Sequence, residues 1–268
     1  MNKLSFFAVV MAAVAFTSCG GKKALPPVQD AETIKIFDQQ QLPSGVKAAL
    51  DSLATAYCNQ GLMPILLEGK NGVQLTKTEK QLKPDYLLPP TAADKAATVA
   101  DKYRMASALS VDTRIADIYD MPVESYKTTI ARLTGETDDL SFKVLENAAA
   151  VYSTSQELYD TMKAYGRSNF FWQLATASLV EELYVMAQNT EKYITVFDDQ
   201  KAAGVAQRTA LVAEATTFLN EYDDEATPLV QAIEPLKAIS ATTAEQLKVQ
   251  LEEAKAVIAE VRNTLLKL

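Results

Sequence analysis

A chain of 268 residues with 48% hydrophobic residues and a formal net charge of −8 can bury a large core, and lacks the concentrated Lys and Arg that phosphate backbones require. Nucleic acid is therefore excluded as a partner. The absence of histidine excludes Ser-His-Asp and Cys-His nucleophiles, HExxH zinc sites and histidine-ligated haem, and two cysteines are too few for thiolate clusters. Carboxylate, Tyr, Ser/Thr and Lys chemistry remain, so the reading expects no catalytic residues, no cofactor and no metal, and hence no enzyme.

The chain opens with one lysine, Lys3, a short apolar run from Leu4 to Phe16, and small residues at Thr17 and Ser18 ahead of Cys19. This is the layout of a bacterial secretory signal. The run is about thirteen residues, short of the roughly twenty that span a bilayer. Cleavage after Ala13-Val14-Ala15 is one alternative. The cysteine directly behind the small residues, and the Gly/Pro-rich stretch after it, favour lipoprotein processing at Cys19.

Ser18-Cys19 resembles the lipobox of bacterial lipoproteins, in its loose form that of the Bacteroidetes. The resemblance implies acylation of Cys19 and a stable anchor of several chains. Gly20 rather than Asp after the cysteine implies the outer membrane, and the non-acidic Gly21-Lys22-Lys23 its periplasmic face. Residues 1–18 are thus expected to be signal, 19–44 lipidated cysteine and tether, and 45–268 a helical domain. Cys58 is left without a disulfide partner and is read as a small buried hydrophobe.

The first helix is expected over Val46 to Asn59, with Val46, Leu50, Leu53 and Tyr57 inward. Asn71-Gly72 between two apolar runs predicts a small β-hairpin near 62–76. Gly69-Lys70 lacks the remaining glycine and the hydroxyl residue of a phosphate loop. Thr91 to Asp94 resembles a capping box opening a helix to about Tyr119. Pro122 restarts a shorter one that Gly135 stops. Asp138 or Asp139 caps the next, with Leu145, Ala148, Tyr152, Ser155, Tyr159 and Met162 along one stripe.

Ser168 is expected to cap a helix apolar on both sides, 168–189, central and covered by neighbours. Short and long helices follow near 191–197 and from Asp199 to Tyr222. Thr227-Pro228 starts another, which Pro235 kinks or shortens. The last carries Leu247, Leu251, Ala254, Ile258, Val261 and Leu265 inward. The expected fold is all-α, an array of antiparallel amphipathic helices forming a bundle or irregular solenoid.

Ala108-Leu109 followed by Ala116-Asp117-Ile118, together with Trp172 through Glu181-Glu182-Leu183-Tyr184, is similar to a group of Bacteroidetes helical lipoproteins without an assigned function. The likeness spans about residues 86–190 and implies fold and compartment.

Candidate ligand-binding residues are Asp117, Tyr152, Tyr159, Trp172 and Glu181. Asp112, Arg114, Asp117 and Asp120 read as a solvated, salt-bridged face with Arg114 pairing Asp117, or more sharply as a polar pocket lined by Asp117. Glu181 and Glu182 interrupt the most apolar helix, where a buried carboxylate would need a partner or a raised pKa. Tyr152 and Tyr159 share a face, as a core seam or a stacking surface. The acid pairs 138–139, 198–199 and 223–224 precede helices and read as caps rather than calcium ligands. Asp51-Ser52-Leu53 and Asp160-Thr161-Met162 resemble the short O-glycosylation signal of Bacteroidetes envelope proteins. The favoured expectation is a lipid-anchored scaffold that binds another envelope protein. Its alternative is a small-ligand-binding lipoprotein with a pocket beside helix 168–189.

Overall fold

A computed structural model describes residue 37, residues 42–139 and residues 155–268. The chain divides into a unit of residues 1–35, all outside the described residues, and a unit of residues 36–268, to which everything below refers. The expected signal, Cys19, most of the tether and Tyr152 therefore lie outside the described residues, as does the first half of the stripe from Leu145.

Every regular element among the described residues is helical, so the protein is all-α. We number the α-helices α1 (Ser44–Cys58), α2 (Lys77–Gln81), α3 (Val99–Ile118), α4 (Glu124–Glu136), α5 (Gln156–Ala164), α6 (Ser168–Gln188), α7 (Thr190–Tyr193), α8 (Asp199–Asn220), α9 (Thr227–Ile233) and α10 (Ala244–Leu266).

Helix α6 is the axis of the fold, with α3, α10, α8, α5 and α9 packed around it. Phe171, Trp172, Leu179, Val180 and Leu183 point in different directions around it, yet all are fully buried. A helix apolar all round cannot sit at a surface, and each such side chain removed from water stabilises the fold by about 1.5–3 kcal/mol. Helix α3 folds back on α4, and α1 lies across α8 and α5.

Helix ends follow local chemistry. Thr98 accepts from the Asp101 amide and Asp101 from the Thr98 amide, each at 3.1 Å, closing a capping box at the start of α3. Asp198 and Thr243 cap α8 and α10 through single bonds of 2.8 and 3.2 Å. Pro235 lacks an amide proton and cannot continue α9, which stops at Ile233 and tightens into a 3-10 turn. Lys267 takes φ 57° behind α10, and the Leu268 amide returns to Asn263 at 2.9 Å.

Three expectations are corrected. The hairpin near 62–76 does not form: Pro64–Leu66 and Gly69–Asn71 are 3-10 turns, and the described residues contain no strand. Met63 to Leu66 are all buried in succession, which a half-exposed hairpin strand cannot achieve. The reversal uses Gly69 at φ 62° instead of the Asn71-Gly72 pair. Gly72 is needed for proximity, because a Cβ there would lie 1.8 Å from the Leu67 carbonyl oxygen.

The capping box at Thr91 is also displaced. Pro90–Lys95 forms a 3-10 turn, Ala96 is extended, and the helix starts one Thr-x-x-Asp later, at Thr98. Third, Ser168 is the first residue of α6 rather than its cap, and Ser155 caps α5 rather than joining its inward stripe.

Candidate functional site

The most unusual chemistry lies where α3, α6 and α10 meet. Asp112 follows Ala108 and Leu109 and precedes Ile115 and Ala116 at helical spacing, so the face that buries those residues also buries its carboxyl, which is wholly inaccessible. Glu181 occupies the same situation on α6. Arg262 lies between Ile258, Val261 and Leu265 on the inward face of α10 and is 5% exposed.

Arg262 donates Nε to Glu181 Oε2 and Nη2 to Oε1, both at 2.7 Å, a two-pronged ion pair. Its Nη2 also stands 3.8 Å from Asp112 Oδ2 and 3.4 Å from the Tyr86 carbonyl oxygen. The guanidinium lies over the Tyr184 ring, 3.9 Å from its centroid. Asp112 Oδ2 accepts the Leu88 amide at 2.7 Å, and the Leu88 carbonyl accepts the Tyr126 hydroxyl at 2.8 Å. Asp112 Oδ2 and Glu181 Oε1 thus face the same Arg262 Nη2, at 3.8 and 2.7 Å. Tyr86 and Tyr193 share a 2.7 Å hydroxyl bond beside this cluster.

Burial, and then the charge of Glu181, push the Asp112 carboxyl well above the ordinary carboxylate range, against the opposing pull of Arg262 and the Leu88 amide. Burial, with the two carboxyls behind it, raises the Tyr126 phenol to about 12. Burial works against the charge on Arg262, but Glu181 and Asp112 outweigh it and raise its pKa.

A second buried charge lies on the other side of α6. Glu182 is 3% exposed; Ser178 donates to its Oε1 at 2.9 Å, and its Oε2 has no hydrogen-bond partner. Burial raises its pKa, opposed by Arg208 and Ser178. Arg208, on α8, donates to the carbonyls of Gln60 and Gly61 and faces the Tyr57 ring at 5.7 Å.

Comparison with known protein families, with curated proteins and with solved structures finds no match.

The sequence-selected residues separate. Glu181 belongs to the buried cluster. Trp172 and Tyr159 meet through Phe171: Trp172 sets its ring edge-on to Phe171 at 5.3 Å and to Tyr57 at 6.1 Å, and Tyr159 meets Phe171 at 5.1 Å. The Tyr159 hydroxyl donates to Asp51 at 2.8 Å, so it serves as a seam between α5 and α1. Asp117 is exposed on the rim of a depression of about 260 Å³ that Glu68, Lys80 and Arg114 also line.

The solvated face expected of Asp112, Arg114, Asp117 and Asp120 is corrected in two respects. Asp112 is fully buried, and Arg114 reaches Glu68 at 2.6 Å and the Leu66 carbonyl at 3.1 Å instead of Asp117. That bond stitches α3 to the 3-10 turn, which a helix projection of the sequence cannot show.

Asp198 and Asp223 act as caps, as expected of the acid pairs. Asp139, however, is buried and accepts the Tyr103 hydroxyl. No cluster of three or more metal-type ligands occurs among the described residues. Nor is any helix among them long and apolar enough to cross a membrane. Ser52 and Thr161 each donate to a carbonyl one turn earlier, at 2.9 and 2.7 Å. Reasoning from sequence missed Arg262, Arg208 and the burial of Asp112. The available signal was a charged residue at an inward position of an otherwise apolar stripe.

Proposed function

We propose that the chain is a lipid-anchored envelope protein, held through Cys19 at the outer membrane on its periplasmic side, whose helical body is an interaction scaffold for another envelope protein. The observation that carries this reading is the filled interior around α6. Trp172, Phe171, Tyr159 and Glu181 are each 2% exposed or less. A carrier of small ligands needs a concave chamber beside such groups. Here their atoms are taken up by one another and by the surrounding helices, and none of them lines the depression beside Asp117.

The same geometry argues against an enzyme of paired carboxylates. Asp112 and Glu181 form such a pair, but both are inaccessible and Glu181 is held by Arg262 on both oxygens. A general acid or base must come within hydrogen-bonding reach of a substrate proton. The anchor is tested by fractionating cells that express the wild type and Cys19→Ala. The wild type is expected in membranes and the variant in the released fraction. Retention of Cys19→Ala in the membrane would overturn the anchor.

A further inference from the structure

We infer that Asp112 and Glu181 hold one proton between them, and that this buried proton keeps the C-terminal helix α10 seated against α3 and α6. Two carboxyls without access to water face one guanidinium nitrogen, Arg262 Nη2, at 3.8 and 2.7 Å, and a single cation can offset only one of them, so the other must carry a proton.

The oxygens identify where the proton sits. Both Glu181 oxygens accept from Arg262, and Asp112 Oδ2 accepts from the Leu88 amide. Asp112 Oδ1 is buried and receives no N–H or O–H donor. An ionised oxygen left so would go unsolvated; a protonated Oδ1 becomes the donor that the Glu181 carboxylate can accept.

Charge gives the same answer. With the proton, the Asp112 acid, the Glu181 carboxylate and the Arg262 guanidinium sum to zero. Without it, two anions face one cation inside the core, an arrangement strongly disfavoured where water is excluded. The groups facing Asp112 from the elements around it do not compensate. They are Tyr126 from α4, Glu181 and Tyr184 from α6, Arg262 from α10, and Tyr86 from the segment before the Pro90 turn. Asp85 acts on Tyr184, and Tyr193 and Tyr119 on Tyr86; none of these adds positive charge.

Arg262 is the contribution of α10 to the cluster. Raising the pH until the shared proton leaves therefore sets an uncompensated anion against the seat of that helix. The sign is fixed: a carboxyl whose pKa is raised on folding gives its full stabilisation below its unfolded pKa of about 4 and loses it as pH rises through the folded value. Between those two values the folding equilibrium constant falls about ten-fold per pH unit, and above the folded one it levels off.

The test uses the full chain, with Asp112→Asn and Glu181→Gln, each of which leaves the cluster neutral without a titrating proton. Infrared spectroscopy reads the carbonyl band of a buried carboxylic acid, and hydrogen exchange with mass spectrometry reads α10. The wild type should show a neutral-pH acid band missing from Asp112→Asn, and the band should fade as pH rises. From about pH 4 up to the pH at which the band fades, α10 exchange in the wild type should accelerate relative to whichever variants fold. Equal acid bands in wild type and Asp112→Asn, or an identical pH course of α10 exchange in wild type and a folded variant, would overturn the inference.

Discussion

Arg262 and Glu181 are 81 residues apart in the chain, yet the guanidinium meets both carboxylate oxygens at 2.7 Å, joining the last helix to the central one. Removing one partner of such a buried pair leaves a charge with nothing to offset it. Arg262→Met should therefore cost about 3–5 kcal/mol, read as a fall in the urea midpoint with little change in slope. Arg262→Lys restores the charge but not the planar fork and should recover only part of the loss. A midpoint for Arg262→Met equal to wild type would show that the pair holds nothing together.

The opposite end of the pH scale depends on Asp101. Its burial alone would raise its pKa, but Lys267, the Thr98 amide and Arg104 outweigh that and hold the carboxyl at about 2. A depressed carboxyl stabilises the fold above its unfolded pKa and ceases to do so as pH falls through the folded one. Thermal melts taken between pH 4 and pH 2 should thus fall steeply for the wild type. Asp101→Asn should start lower and show a shallower fall; parallel curves would contradict this assignment.

Cys58 should be a poor nucleophile. Burial, and then the charge of Asp160, push its thiol from 9.0 up to about 12, with Arg208 opposing. The thiolate is the reactive form, so alkylation at neutral pH should run about a thousand-fold slower than for an ordinary thiol. The measurement is iodoacetamide labelling in a Cys19→Ala background, before and after urea. Labelling of the native protein as fast as of the denatured chain would refute it.

The one tryptophan, Trp172, sits fully buried against Phe171 and Tyr57, and its Nε1 has no hydrogen-bond partner. Trp172→Ala opens a cavity and should cost about 3–5 kcal/mol. Trp172→Phe keeps a ring and deletes an unpaired N–H whose burial costs about 1–3 kcal/mol, so the loss should be distinctly smaller. Denaturant curves followed by circular dichroism compare the two. Equal losses would mean that the indole N–H has a partner.

Much of this architecture could be read from the chain because its signals are local. The two-sided apolar pattern of 168–189 predicted a central helix, and α6 is one. Pro235 shortened its helix for the reason that any interior proline does. What escaped the sequence is tertiary. Two Thr-x-x-Asp boxes lie seven residues apart, at Thr91 and Thr98; the first lies in a 3-10 turn that buries Ala92 and Ala93, and the second starts the helix.

The site shows the same divide. Glu181 stood out as an acid within an apolar helix. Asp112 looked solvated beside Arg114, Asp117 and Asp120, although its spacing from Leu109 and Ala116 places it inward. That Arg262 pairs with Glu181 and stands 3.8 Å from Asp112 is set by the docking of α10 on α6, which no helix pattern encodes.

The proposed role is that of a body that meets a protein at the membrane rather than a ligand in a chamber. Crosslinking of the full-length chain in native membranes, with mass spectrometry of the adducts, tests this most directly. The expected result is a discrete protein adduct formed by the wild type and lost with Cys19→Ala. Absence of any protein adduct across several growth conditions would contradict the account.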